Sequence, residues 1–512
     1  MKFMTPNVNR ALIFQGGGSL GAYEAGAYKA INEDLSAYFR TEGRENEPIF
    51  HIVSGTSIGA INATLLVSYV KENKTWEGSS ERLVDFWKYL STQPSVENIP
   101  YFTSYWDSWR KLDRRIASGE SARRYFSTKE FILKGVPNVF VPKTPLPDHR
   151  FFDPSNTWYI YDNRPLKESL EKFVKFPIST SFENNEPRLL LVAVDVQTLT
   201  PVVFDSYEKK DGTRKSEYGR YGRLKSGSFE KDHENAEGFE HVIRYDDGII
   251  ADFVLASCSV PVNYDYTRLN VESRVLVGEG QDDNEDTGDN TRPSSSSSST
   301  STSTSTTTTT TTNGNSSLRS FWDGGLLANT PLRQTVLAHR EYWYKVRKME
   351  ENIPRLRYGI INLHPAKQDY LPSDYDGVVD RKNDIIFHDR TEFDENVAVL
   401  LSDFIRLAKT LIKLAEANGV SKEVLQKTLQ EETRAVYLAT GKHLRYDELI
   451  KANVDVDFVV RLARKNDSHT ISNKTFDFSK TTIQQLIQDG YQETKEQMKE
   501  VLARIRRELS GG

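Results

Sequence analysis

A single cysteine, Cys258, among 512 residues leaves the chain without an intrachain disulfide and without the paired thiolates of an ordinary structural zinc site. That scarcity fits a reducing compartment. Apolar residues are also in short supply at 37%, against roughly 45–50% in globular chains even when Gly is counted in that figure. The deficit points to polar insertions in a chain that still has ample material for a core. No strongly cationic field is present, because 67 Lys and Arg face 72 Asp and Glu for a net charge of -5, so charge gives no reason to expect a nucleic-acid partner. The longest greasy stretch, residues 58–70, is interrupted by Asn62, Thr64 and Ser68 and stops at Lys71, short of the roughly 20 residues that span a bilayer. Residues 1–10 lack the apolar segment of a secretory signal. The expectation is a cytoplasmic chain whose membrane contact, if it has any, is peripheral.

What is present organises itself around glycines. Residues 11–15 form a compact apolar run ending at Gly16-Gly17-Gly18, and Ala22, Ala25, Gly26 and Ala30 then follow at helical spacing, which predicts strand, loop and helix. Residues 50–54 repeat the pattern: a short β-branched run, then Gly55, then Ile58, Ile61, Leu65 and Leu66 on one helical stripe. Further apolar runs at 189–196, 249–255 and 358–363 suit a mainly parallel sheet covered by helices. The composition assigns 271–317, with its acidic run and its Ser/Thr tract, to a disordered insertion, and 205–247 to a polar one. Helical periodicity returns at 393–419, through Val397, Leu400, Leu401, Phe404, Ala408 and Leu411 up to a stop at Gly419, and again over 481–509. The reading is an α/β catalytic body over 1–363 followed by a mainly helical region over 364–512.

Two glycine loops carry the chemistry. Gly16-Gly17-Gly18-Ser19-Leu20-Gly21 sets side-chain-free N–H groups between a strand and a helix start, where they surround a negative charge. The same letters fit a dinucleotide-binding loop, but the next strand ends at Ser54-Gly55 rather than at the acidic residue that holds a ribose. Gly55-Thr56-Ser57-Ile58-Gly59 matches the cramped turn that exposes a serine hydroxyl at a helix start, where the helix dipole favours developing negative charge. A bland serine cap has the same letters. A nucleophilic serine needs a base, and two arrangements offer one. His364, after the run at 358–363, would complete a Ser-Asp-His triad. Alternatively Asp323, in Trp322-Asp323-Gly324-Gly325, accepts the proton directly, its affinity raised by burial from an ordinary pKa of about 3.9.

Loop, elbow and Asp-Gly-Gly, together with Ala256-Ser257-Cys258-Ser259-Val260-Pro261 and the Asn329-Thr330-Pro331 that follows the acid motif, occur in the order found in patatin-like phospholipases, and residues 11–363 resemble that family. The resemblance implies lipid acyl hydrolysis on a three-layer α/β/α fold, with no metal, calcium or other cofactor and no catalytic histidine. It makes Ser57 the nucleophile and Asp323 its base. The oxyanion hole falls to the loop Gly16, Gly17, Gly18 and Ser19, with Gly21, Gly55, Gly59, Gly324 and Gly325 as supporting motif positions. Leu20 departs from the Arg or Lys that many relatives carry there, which removes a charge near the loop but none of its backbone donors.

The implied partner is a lipid ester presented at a membrane or micelle surface. Tyr101, Phe102, Tyr105, Trp106 and Trp109, with Arg110 and Lys111 behind them, have the composition of an interfacial contact, although core packing is the preferred explanation of such a cluster. The surrounding 92–150 is the candidate lid. Two rival readings stay open: a Ser-His-Asp esterase using His364, and a noncatalytic lipid-binding module.

Overall fold

The computed structural model describes residues 7–113, 116–143, 158–218, 238–276, 315–350, 353–368, 371–436, 443–451, 454–465 and 471–510. The first unit is β1 (Val8–Phe14), a 3-10 turn at Gly18–Leu20, and α1 (Gly21–Thr41). The second is β2 (Ile52–Thr56) and α2 (Ile58–Asn73), with Ser57 between them. After these come α3 (Ser79–Leu90), α4 (Phe102–Leu112), α5 (Gly119–Lys134), the short pair β3 (Val141–Pro142) and β4 (Tyr161–Asp162), and α6 (Arg164–Phe173). The chain continues through β5 (Arg188–Asp195), β6 (Thr200–Asp205), β7 (Glu217–Tyr218), β8 (Gly238–Val242), α7 (Ala251–Cys258), β9 (Thr267–Leu276) and β10 (Asn315–Asp323). Next are α8 (Gly325–Ala328), α9 (Leu332–Glu341), β11 (Arg355–Asn362), α10 (Tyr375–Phe387), α11 (Glu392–Ala417) and α12 (Lys422–Leu429). It closes with β12 (Glu432–Val436), β13 (His443–Arg445), α13 (Tyr446–Ile450), β14 (Val456–Ala463) and α14 (Lys480–Ser510).

Strands β14, β11, β1, β2 and β5 run parallel in that spatial order, and beyond β5 the pairing is antiparallel. β5 has three partners: β2 pairs with residues up to Val192, β10 pairs with Ala193 to Asp195, and β6 pairs with Leu190 to Asp195. A strand has two edges, so β2 and β10, which never overlap, lie end to end along the edge that β6 does not occupy. Side chains alternate between the two faces. Leu12, Phe14, Val53, Leu189 and Leu191 join a core with Tyr28 of α1, Leu65 of α2, Val254 of α7 and Ile483 of α14. Ala11, Ile13, Ile52, Leu190 and Val192 join another with Leu332 and Ala338 of α9, Tyr342 and Trp343. These are the three layers of an α/β/α fold.

Several expectations shift. Residues 249–255 form most of helix α7 rather than a strand, because a short buried apolar run has no periodicity that separates the two. The flanks of the Ser/Thr insertion, Val271 on one side and Ser317 on the other, are directly paired in the antiparallel ladder of β9 and β10; the tract itself, with the rest of 277–314, lies outside the described residues. Similarly, 205–247 supplies β7 and β8, with 219–237 outside the described residues. Helix α4 buries none of its residues: Tyr101 before it is 84% exposed and Tyr105 60%, so its aromatics are not core. Helix α11 forms where the spacing predicts it, but Val397, Leu400, Leu401, Phe404 and Leu411 are exposed, and Ile405 and Ser402 are its buried residues. Among the described residues no helix is long and apolar enough to cross a membrane.

Residue 363 is no boundary in the packing. β14 adds to the sheet beside β11, Leu356 opposite Val456 and Ile361 opposite Leu462. Its short apolar run was masked by the helical periodicities around it. α14 lies along α1 in close helix contact, since a Cβ on Gly26 would overlap the Ile487 carbonyl and one on Gly490 the Tyr23 carbonyl. Gly490→Ala gains about 1 kcal/mol of helix propensity but forces the helices apart, which costs more in a filled core. The expected net result is a loss of about 1–3 kcal/mol in stability, read as a lower denaturation midpoint in urea at unchanged slope.

Candidate active site

Ser57 follows β2 directly and stands as the cap residue of α2 with φ 56° and ψ -128°, a left-handed backbone that a non-glycine residue adopts only under constraint. The constraint is visible. A Cβ on Gly55 would overlap the Gly59 carbonyl, and one on Gly59 would stand 2.6 Å from the Phe14 carbonyl, so the turn is tighter than side chains permit. The Ser57 N–H donates to Ser257 Oγ at 3.0 Å, and Ser257 in turn donates to the Val192 carbonyl at 2.6 Å. The Cys258 thiol donates to the Ser57 carbonyl at 3.1 Å, and the Ala60 N–H reaches the same oxygen at 2.9 Å. Burial, then the nearby Asp323, holds the Cys258 thiol well above the usual range, so it stays protonated and able to donate. The Ala-Ser-Cys-Ser block is thus the brace of the elbow, a role the motif letters alone did not disclose.

Asp323 ends β10 opposite Ala193, one residue beyond the point where Thr56 ends β2 opposite Val192. This brings residues 57 and 323 together despite their separation in the chain. The Asp323 N–H donates to the Ser259 carbonyl at 2.9 Å, and Oδ1 accepts from the Gly325 N–H at 2.7 Å. A Cβ on Gly324 would overlap the Val192 carbonyl, which is why this turn needs glycine. Burial pushes the Asp323 carboxyl up to about 6, against the opposing pull of the Ser57 hydroxyl and the Gly325 N–H. Oδ2 is buried and has no partner at strict hydrogen-bond distance among the described residues. The contact with Ser57 is therefore a loose one.

The first glycine loop closes the site from the other side. A Cβ on Gly16 would stand 3.0 Å from Ser57 Cβ. The Gly16 N–H donates to the Asn329 carbonyl at 3.3 Å, and Ser19 Oγ donates to the Lys474 carbonyl at 2.9 Å. Gly17 and Gly18 open the 3-10 turn, where no intrahelical carbonyl reaches their N–H groups. Gly21 packs beneath Trp87 and Ile58, whose atoms a Cβ would meet at 2.6 and 2.7 Å. Leu20 is buried in the core, so no charge is missing from the surface at that position.

His364 is buried behind this loop. Its Nε2 lies 3.1 Å from the Gly16 carbonyl and its Nδ1 3.2 Å from Asp384 Oδ1. Both ring nitrogens are engaged away from Ser57, which leaves none to take the serine proton. Reading the sequence missed Gln15, Asp384 and Lys474 altogether. Gln15 accepts from the Leu363 N–H at 2.7 Å and donates to Thr330 Oγ1 at 3.0 Å, tying the glycine loop to β11 and to the segment after Asp323. A buried polar residue directly before a glycine loop was the available signal.

Among curated proteins none matches the chain. Of solved structures, VipD from Legionella pneumophila is similar at 12% identity, over 97% of this chain and 67% of VipD, with a TM-score of 0.28. A patatin phospholipase family model matches residues 421–508, within the region that adds β14 and α14 to the fold. The patatin-like phospholipase model matches residues 12–336, from β1 into α9, and takes in the glycine loop, the elbow and Asp323. The chain belongs to the patatin-like phospholipase family of lipid acyl hydrolases.

Proposed function

We propose that the protein hydrolyses carboxylic esters of phospholipids or related glycerolipids through a Ser57–Asp323 dyad and an acyl-enzyme. The observation that carries this reading is the buried Asp323 carboxyl, raised to about 6 and sensing the hydroxyl of a serine on a strained elbow. A carboxylate so tuned is mostly ionised at neutral pH yet far more basic than an exposed aspartate. Asp323 takes the Ser57 proton as Oγ attacks the ester carbonyl. The N–H groups of Gly17 and Gly18 stabilise the tetrahedral oxyanion, helped by the N-terminal end of α2. Collapse expels the alcohol, which takes the proton held by Asp323. Water then attacks the acyl-serine as Asp323 takes its proton, and the fatty acid leaves as the Oγ–acyl bond breaks and Asp323 returns that proton to Ser57 Oγ.

Access to the substrate comes through α4. Phe102 and Trp106 pack on Phe126 of α5, with ring centroids 5.8 and 6.4 Å apart, while Tyr101, Tyr105, Trp109 and Leu112 face outward beside Arg110 and Lys111. Aromatic rings next to basic side chains suit the headgroup level of a lipid surface.

With a mixed glycerolipid panel and mass spectrometry of released fatty acids, Ser57→Ala and Asp323→Asn should each lose at least about 10⁴-fold in turnover, and Ser57→Ala should no longer label with a fluorophosphonate. Labelling of Ser57 without hydrolysis of any lipid would return the molecule to the class of lipid-binding modules. In wild type, kcat/KM should rise through a pKa near 6 and level off above it. The same raised carboxyl destabilises the fold as pH climbs from about 4 to above 6, because the folded state binds that proton more tightly than the unfolded chain. Asp323→Asn should therefore be inactive yet more stable than wild type at pH 8, by up to roughly 3 kcal/mol, with the gain vanishing at pH 4. Finally, Trp109→Ala should weaken partitioning onto anionic vesicles roughly 5- to 10-fold and leave hydrolysis of a soluble short-chain ester unchanged.

A further inference from the structure

Four buried ionisable side chains lie behind the glycine loop and take no part in the reaction described above. Lys474 Nζ reaches Asp380 Oδ1 at 2.9 Å and Asp384 Oδ1 at 3.1 Å, and Asp384 faces His364 Nδ1 at 3.2 Å. All four are buried, Asp380 at 2% exposure and Lys474 at 9%. The chain of contacts ends on one backbone atom, the Gly16 carbonyl, which His364 Nε2 meets at 3.1 Å and Asn329 Nδ2 at 3.3 Å. A carbonyl only accepts, so the ring carries its hydrogen on Nε2; a second proton, on Nδ1, would add the bond to Asp384 and balance two carboxylates with two cations. Burial and then Lys474 work against that second proton, whereas Asp384 and the Gly16 carbonyl favour it.

The peptide joining Gly16 to Gly17 is planar and trans, so its N–H points opposite to its carbonyl. Between two glycines such a plane turns over at little steric cost, and a turned plane would present an oxygen where an oxyanion is to bind. We infer that His364 is a positioning residue: through Nε2, with Asn329, it draws the Gly16 carbonyl into the protein and thereby keeps the Gly17 N–H on the Ser57 side. Asp384, held by Lys474, fixes the ring. The anchor of this latch sits on the C-terminal segment, where the Lys474 backbone carbonyl also accepts from Ser19 Oγ at 2.9 Å and a Cβ on Gly18 would stand 2.6 Å from the Thr475 carbonyl. The inference rests on the oxyanion role proposed above for this loop.

The test compares His364→Leu, which removes the donor at similar volume, with His364→Gln, whose amide N–H can still reach the carbonyl. On a soluble p-nitrophenyl ester, His364→Leu should lose about 10- to 100-fold in kcat with KM within twofold of wild type. His364→Gln should recover most of that loss at an equal melting temperature. A His364→Leu enzyme with kcat within twofold of wild type overturns the inference, as does His364→Gln being no better than His364→Leu. Loss as complete as in Ser57→Ala, unrescued by Gln, would make His364 the base and overturn it too. If His364→Leu does not fold, a crystal structure of the wild-type phosphonate adduct decides: the phosphonyl oxygen should lie within hydrogen-bond distance of Gly17 N with Gly16 O still on His364, and a turned peptide refutes the latch. Failure of the parent reading looks different, as a wild type that neither cleaves esters nor labels at Ser57.

Discussion

One edge of β5 is shared by two strands that arrive from opposite directions, and the candidate site is the place where they meet. β2 occupies the edge as far as Val192 and β10 takes it over at Ala193. Neither can extend without colliding with the other, so both must turn out of the sheet at the same level. One turn exposes Ser57 and the other presents Asp323. The close approach of Gly324 to Val192 and of Gly55 to Gly59 is what lets two turns fit where one would normally stand. Ladder hydrogen bonds define position to a fraction of a strand residue, so the relative placement of Ser57 and Asp323 follows from register rather than from loop conformation. Sites built on such elements hold their geometry better than sites on loops.

The third component, the glycine loop, lacks that support from the sheet and is held instead from behind. β1 delivers it beside the elbow, Phe14 pairing with Gly55, but glycines then free the backbone in both dihedrals. The molecule compensates with polar contacts at successive positions: Gln15 N–H to Glu24 at 2.8 Å, Gly16 N–H to Asn329, and Ser19 Oγ to Lys474. Some of these partners lie more than 300 residues downstream. The C-terminal region thus reaches the loop through Lys474, while α14 packs beside α1 through Gly26 and Gly490.

The legible parts of the sequence were those where a local rule has one solution. A strand, a glycine turn and a helix in succession leave few alternatives, and both such units appear as the spacing predicts. The exposed α4 was not legible, because an aromatic cluster satisfies core and interface equally and only tertiary contacts separate them. Residues 249–255 were read as strand-like because seven of the eight residues of α7 are buried, which leaves Asp252 as its one charged residue and no polar stripe to mark a helix. His364 drew attention as a histidine after a strand, but its role depends on Asp384 and Lys474, which pair with it through distances no spacing encodes. Position in the chain left this histidine as a loop residue or a rival base; only geometry says that it faces a carbonyl rather than a hydroxyl.

The same logic accounts for where the chain tolerates a long polar insertion. Residues 277–314 separate β9 from β10, which would be a hazardous place to lengthen a connection if it set the position of Asp323. The two strands are adjacent and antiparallel, with Asn315 opposite Ser273, and seven consecutive pairs run from there to Phe321. That ladder fixes β10 against β9 from Asn315 onward, whatever residues 277–314 contain. Asp323 stands at the end of β10 opposite to Asn315, with the ladder between them. The register that brings β10 to β2 is set by paired strands and not by the polar stretch, which is how a chain with so low an apolar content still defines its site sharply.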